Sequence, residues 1–429
     1  PPPPPPPLNH PPTPHTNTRM ESSAASDVYK RQNQNALRRY WLYATGARDD
    51  TIVDPTALTA DRELDVCGQC HAVQSLGSQR RVQEWLHNGL PFRPGDRLAD
   101  TRYIVDLRKD DPKSHVYRRT LATDPHFFED RFWPDGVVNV SGREYQGVRD
   151  SPCYVSQEFS CTSCHQLHRS GDDPRPPEDW ANDQLAADRT DAGACVGCHP
   201  ALSTPEAVEA HTHHAASSPG SDCYNCHMAN TAYGLLNATR SHYIESPDVR
   251  TQLETGRPNA CNLCHLDRTL SWTADNLERW YGTPRPLLED PEHARTAEGV
   301  LLTLRGDAGQ RALAAWHLGW EPARRAWSVP GWPTPLLIEL QGDPYEAVRV
   351  IAARSLATQP AANEITPEAL STRKRRRRAT AEVGRIEEAA TLDPRVLERL
   401  LFQPDGLPDR TRLIALLRAR DDRRIFRAE

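Results

Sequence analysis

The sequence predicts a mainly α-helical protein with much irregular loop, organised as two or three domains over its 429 residues. Three observations carry that expectation. Alternating strand-like runs are few, and the connections are rich in Pro, Gly, Asp and Ser. Only 37% of residues are hydrophobic while 38 are Pro, so side chains alone make a thin core and a bound group is expected to fill part of it. Beyond residue 285 the cysteines stop and Ala-containing helical segments begin. The net charge of -6, from 52 basic and 58 acidic residues, gives no general attraction to nucleic acid or membrane surfaces. No run of 18 or more apolar residues occurs, which excludes a membrane-spanning helix in the chain as given.

Residues 1–32 are expected to contribute no fold. They open with seven prolines, and residues 27–32 (DVYKRQ) are what a transposon end used in library preparation encodes. The segment reads as a translated assembly artefact or as a disordered Pro-rich tail. On the first reading the natural N-terminus, with any export signal, has been lost.

The next 253 residues carry the chemistry. C-x-x-C-H occurs at 67–71, 161–165, 195–199, 223–227 and 261–265, using ten of the eleven cysteines. Composition predicts about 0.01 copies by chance. The motif is the attachment signature of c-type haem. Two cysteines three residues apart on a helical turn present both sulfurs to one porphyrin edge, where they add to the vinyl groups. The adjacent His then lies under the ring as proximal iron ligand, with its other nitrogen expected to donate to a backbone carbonyl. Cys67, Cys70, Cys161, Cys164, Cys195, Cys198, Cys223, Cys226, Cys261 and Cys264 are thus the candidate thioether residues, and His71, His165, His199, His227 and His265 the proximal ligands. Zinc competes for C-x-x-C pairs, but it does not need a His after every second Cys. Cys153, outside the motifs, reads as a buried small hydrophobe, with a reactive thiol as the alternative.

Five irons need five further ligands. One of the two methionines, Met20, lies in residues 1–32, and Met228 directly follows His227, so it cannot reach the opposite face of the same haem. Bis-histidine, lower-potential haems are therefore expected. His168, His211, His214 and His242 are the candidate distal ligands, with His211 and His214 sharing one face of a helix. His126 is the choice for the fifth, over His115 and His87; His293 and His317 read as ordinary surface or helix residues.

Gaps of 94, 34, 28 and 38 residues separate successive first cysteines, so the last four haems must pack together. The long insert carries FRPGD at 92–96 and FWPDG at 132–136, turn signals with aromatics able to cover a haem face. A helix over 272–281, stopped by Gly282, closes the domain. After it, R-x-x-A-A-x-x-L begins at Arg311 and again at Arg349, 38 residues apart, near the period of HEAT-type helical hairpins. Amphipathic stretches at 392–402 and 410–418 extend the series, which should dock on the haem domain or stack end to end. The run RKRRRR at 373–378 reads as a solvated loop, or as a site for an acidic partner.

The segments SPCY…SCTSCHQLH, ACVGCHP, HTHH…GSDCYNCHM, RSHY and PNACNLCHLDRTLSWTADNLERWYG resemble bacterial multihaem c-type cytochromes related to the tetrahaem cytochromes of ammonia oxidisers. Members of that group often carry C-terminal HEAT or tetratricopeptide repeats. The resemblance implies electron transfer in the periplasm or outside the cell, with haems attached after export and redox proteins as partners. The expected organisation is thus a pentahaem cytochrome domain over 33–285 followed by a HEAT-like helical solenoid over 286–429. An electron carrier holding five covalent haems is the preferred function. Two alternatives stand: an oxidoreductase acting on a small nitrogen or sulfur compound at one open haem, and a HEAT-like scaffold that recruits a redox partner. Nitrite reductases of the five-haem type typically use C-x-x-C-K at the catalytic haem, and that motif does not occur here.

Overall fold

A computed structural model describes residues 36–47, 53–89, 91–156, 159–191, 193–360 and 362–426; residues 1–32 lie outside them. The chain is mainly helical, with two two-stranded sheets among the described residues. It divides into two compact units. One takes in the described residues up to Cys70 with Gln74–Val105 and Cys153–Pro200; the other takes in His71–Val73, Asp106–Pro152 and Ala201–Glu429.

In the first unit, helix α1 (Ala60–His71) opens with Asp61 and Glu63, acidic residues suited to a helix N-terminus, and buries Leu64. The boundary between the units falls inside α1, after Cys70. Strands β1 (Gln74–Ser75) and β2 (Tyr103–Ile104) pair antiparallel, and the aromatic of FRPGD, Phe92, is fully buried. One carboxylate joins distant segments: Glu63, buried on α1, accepts hydrogen bonds from Ser160 Oγ (2.7 Å) and Thr162 N (2.8 Å), which flank Cys161. The first and second motifs, 94 residues apart in sequence, are tied together by it.

The second unit includes the short helix α2 (Tyr145–Asp150), continues through α3 (Pro205–Thr212) and α4 (Cys223–His227), and then forms a hairpin of β3 (Ala232–Gly234) and β4 (Asn237–Thr239). Helices α5 (Ala260–Cys264) and α6 (Leu270–Tyr281) follow, α6 ending before Gly282 as the sequence predicts. The remaining chain is α7 (Glu298–Arg305), α8 (Ala308–His317), α9 (Thr334–Leu340), α10 (Glu346–Leu356), α11 (Arg373–Val383) and α12 (Arg410–Arg418), with shorter helical turns between. The two R-x-x-A-A-x-x-L segments fall on α8 and α10, which pack against each other. Arg311 of the first copy is fully buried and pairs with the equally buried Asp343 at 2.7 Å, just ahead of the second copy.

These helices share a core with the segments before residue 285: Trp133, Val137, Tyr233 and Leu266 join Leu301, Leu313, Trp332 and Leu337 in one buried cluster. Glu298 N and Gly299 N donate to Arg268 O and Leu266 O at 2.8 and 3.0 Å, seating the start of α7 on the chain that follows the fifth motif. Only glycine fits there, because a Cβ on residue 299 would stand 2.7 Å from Leu266 Cβ and O. The tip of the hairpin is held from the same side. Trp316 Nε1 donates to Asn237 Oδ1 (2.6 Å) and Arg354 to Leu236 O (3.0 Å).

RKRRRR differs from the loop expectation: it forms the first turns of α11, with Thr372 as N-cap. Arg375 and Arg378 pair with Glu368 and Glu382, relieving repulsion, while Ala379 and Thr380 are buried. His317 is a helix residue, closing α8, and is fully buried. Cys153 is half-buried, and burial pushes its thiol upward, with Cys198 adding to the effect. No described helix is long and apolar enough to cross a membrane.

Candidate haem sites

Each motif is built on one turn of helix. α1 carries the first, α4 the fourth and α5 the fifth; the second starts on the 3₁₀ turn Cys161–Ser163 and the third on Gly193–Val196. The N–H of His165, His199 and His265 donates to the carbonyl of the first cysteine of its motif at 2.8–2.9 Å. That bond fixes the turn which brings both sulfurs to one side. Local sequence starts the turns: Asp222 caps Tyr224 N, Asn259 caps Cys261 N, and Ser160 with Ser163 forms a capping box.

In the first unit, His165 Nδ1 lies 2.9 Å from Asp183 O, so Nε2 is the nitrogen left to face an iron. His168 and His199 are exposed. His87 is exposed too, with Nδ1 on Gln83 O.

In the second unit, His227 Nδ1 lies 2.8 Å from Glu245 O, again 18 residues downstream. His71 is different: its Nδ1 meets a carboxylate oxygen, Glu144 Oε2, at 2.7 Å. Burial pushes the Glu144 carboxyl up, but the His71 hydrogen bond and the charges of His242 and His71 bring it down to about 2. Of the distal candidates, His214 and His242 each turn Nδ1 to the carbonyl two residues earlier, Thr212 O (2.6 Å) and Arg240 O (3.2 Å). His126 is exposed beside Glu129 Oε2 (3.2 Å), and His115 is exposed at the start of its helix.

The HTHH segment brings two pairs of rings together. His211 stacks parallel to His227, centroids 6.2 Å apart and planes 9° apart; His214 faces His265 at 5.9 Å and 27°. Metal–nitrogen bonds of about 2 Å on opposite faces of one iron hold two imidazole centroids on the order of 6 Å apart. The chain reverses at His213 (φ 57°), whose ring stacks on Trp280 at 4.4 Å, so His211 and His214 address different motifs. Tyr281 Oη donates to His211 O at 2.6 Å.

The sulfurs suit a thioether. Burial, with the charges of Asp222 and Cys223, pushes the Cys226 thiol up to about 11, and burial with neighbouring cysteines takes Cys261 and Cys264 to about 12. A buried thiolate is disfavoured there, whereas a thioether carries no charge to bury. Burial, then the charges of His214 and Arg268, lowers His265 to about 4, leaving the neutral imidazole that offers a lone pair. Among the described residues no cluster of three or more His, Cys, Asp or Glu is arranged to hold a metal ion by itself, as structural zinc requires. The residues fit c-type haem, which when bound supplies one-electron redox chemistry at its iron.

Residues 181–266 match the family described as cytochrome c7 and related cytochrome c. The segment is a cytochrome c7-like domain. It contains the third, fourth and fifth motifs together with His211, His214 and His242, and it supports a multihaem electron-transfer cytochrome with c-type haem as cofactor. No curated protein and no solved structure matches the chain.

Two participants escaped the sequence reading. Glu144 stands 73 residues from His71 and has no motif around it. Arg257, buried and paired with Asp135 (2.7 Å) and Glu245, braces the loop whose Glu245 carbonyl holds His227. An R-P-N triplet before the fifth motif was its only trace.

Proposed function

We propose that this chain is an electron relay that holds five covalent haems, most of them bis-histidine ligated, and works with redox partner proteins in the periplasm or outside the cell. The observation that carries the reading is the two pairs of facing rings within the c7-like segment, His211 with His227 and His214 with His265. One short segment then supplies distal ligands to both the fourth and the fifth haem, keeping them close enough for fast electron exchange. His242 is paired with His71, since Glu144 and Gln146 hold His71 and Val73 while Gly147 and Ser151 of the same segment lie on the backbone of His242. His168, too close to its own motif to cap that iron from the other side, remains the proposed distal ligand of a neighbouring haem, and His126 remains the fifth candidate. The protein's part is to attach, orient and electrostatically set the haems rather than to transform a substrate. The helices after residue 285 are proposed to be a short HEAT-like array that braces the relay from one side.

The test is haem quantitation with EPR on protein secreted behind an export signal in place of residues 1–32. Five low-spin haems per chain are expected. A high-spin fraction near one haem in five would replace the pure relay by an enzyme with an open iron, to be assayed with nitrite and hydroxylamine. Absence of covalent haem would overturn the reading altogether.

A further inference from the structure

The five proximal histidines are not treated alike. His165 and His227 give Nδ1–H to neutral backbone carbonyls, while His71 gives it to the carboxylate of Glu144 at 2.7 Å. The arrangement around that carboxylate is built, not incidental. Its other oxygen accepts from Gly142 N at 2.8 Å, which sets its direction. Two residues later Gln146, buried, clamps the backbone just after His71, accepting from Val73 N (3.1 Å) and donating to Val73 O (2.7 Å). On its far side α2 lies directly on the backbone of His242 and Tyr243. A Cβ at Gly147 would sit 2.8 Å from His242 C, and Ser151 Oγ donates to His242 O. The start of α2 therefore holds His71 and His242 from one place. Among the described residues no Arg or Lys forms an ion pair with Glu144; its ion-pair partner is His71.

We propose that Glu144 is a positioning and tuning residue that gives the first haem a proximal imidazole of anionic character and makes that haem the lowest in potential of the five. The inference rests on the relay reading, in which His71 is an iron ligand. Ferric iron leaves more positive charge on its imidazole than ferrous iron does. A carboxylate at Nδ1 therefore stabilises the oxidised state more than the reduced state, and a backbone carbonyl does so less. Electrons are held least firmly at the first haem, which orients the relay from α1 towards the c7-like domain. No bond to Glu144 is made or broken in this role, and the Nδ1 proton stays on His71.

The experiment compares the full secreted chain with Glu144→Gln by spectroelectrochemical titration and EPR. Gln keeps the size and an acceptor oxygen and removes only the charge. The expected result is that one midpoint, the lowest, rises by about 59 mV for one electron, a tenfold fall in its oxidised-to-reduced ratio at fixed potential, while the other four stay in place. One low-spin EPR signal should change with it. A Glu144→Asp variant should hold the midpoint nearer the native value. In a His71→Met background Glu144→Gln should move nothing further, because no Nδ1–H remains. Mass spectrometry of the peptide spanning 67–71 separates two failures. If that peptide carries haem and Glu144→Gln leaves all five midpoints unmoved, or shifts them together, the tuning role is overturned. If the peptide carries no haem, it is the relay reading that fails.

Discussion

His317 shows how one buried side chain couples stability to pH. Its Nδ1 donates to Leu313 O at 2.8 Å, and complete burial, opposed by that bond and aided by Arg240, lowers its pKa to about 4. The folded chain keeps it neutral while the unfolded chain protonates it below about 6.5. Its contribution is therefore complete above that pH and is lost progressively as pH falls towards 4, on the order of 3 kcal/mol in all. A His317→Gln variant should flatten the fall in stability between pH 6.5 and 4, read from denaturant midpoints; an unchanged slope would sink the assignment. Glu63 and Arg311 are structural counterparts. Glu63→Gln removes a charge that receives two hydrogen bonds and should cost about 1–3 kcal/mol, loosening the second motif. Arg311→Ala leaves Asp343 buried without its partner and should cost roughly 3–5 kcal/mol in chemical denaturation. A loss below about 1 kcal/mol would mean that Arg420, 3.9 Å away, takes over.

At the scale of elements, the β3–β4 hairpin carries a cost. Its two-residue turn puts Leu235 and Leu236 at φ 51° and 57°, a left-handed conformation that side chains branched beyond Cβ adopt poorly. The hairpin survives because α8 and α10 grip its tip through Trp316 and Arg354. Leu235 is 52% exposed, so replacing it loses little burial. Leu235→Asn should raise stability by about 0.5–1 kcal/mol, and a lowered melting temperature would show that Leu235 is held by contacts worth more than its strain. The basic helix α11 teaches the complementary lesson. Six consecutive cationic residues suggest a loop, yet a Thr cap, two acidic partners and two small buried residues suffice to wind them.

For the molecule as a whole, the helices after residue 285 are not an appendage. They share a core with Trp133, Tyr233 and Leu266 and take the backbone hydrogen bonds of the chain leaving the fifth motif. A chain ended at 285 should expose that core, unfold non-cooperatively and become protease-sensitive around the fourth and fifth motifs. Retention of the native melting temperature in the shortened chain would disprove this dependence. It also means that truncation tests partner recruitment poorly, because it removes part of the fold along with those helices.

What the sequence determined by itself was chemistry with short reach. C-x-x-C-H, its helical turn, the caps at Asp222 and Asn259 and the end of α6 before Gly282 all depend on residues within about a turn of one another. Haem attachment is local in the same sense, so the cofactor was legible from five motifs. Tertiary structure decided everything that needs two distant segments to meet. His211 and His214 were recognisable as ligand candidates, but only the left-handed turn at His213 sent them to different motifs. Glu144 reaches His71 across 73 residues, Glu63 joins motifs 94 residues apart, and Gly299 is a glycine because Leu266 comes within 2.7 Å. No periodicity or spacing records such meetings, since they follow from how the whole chain closes around its core.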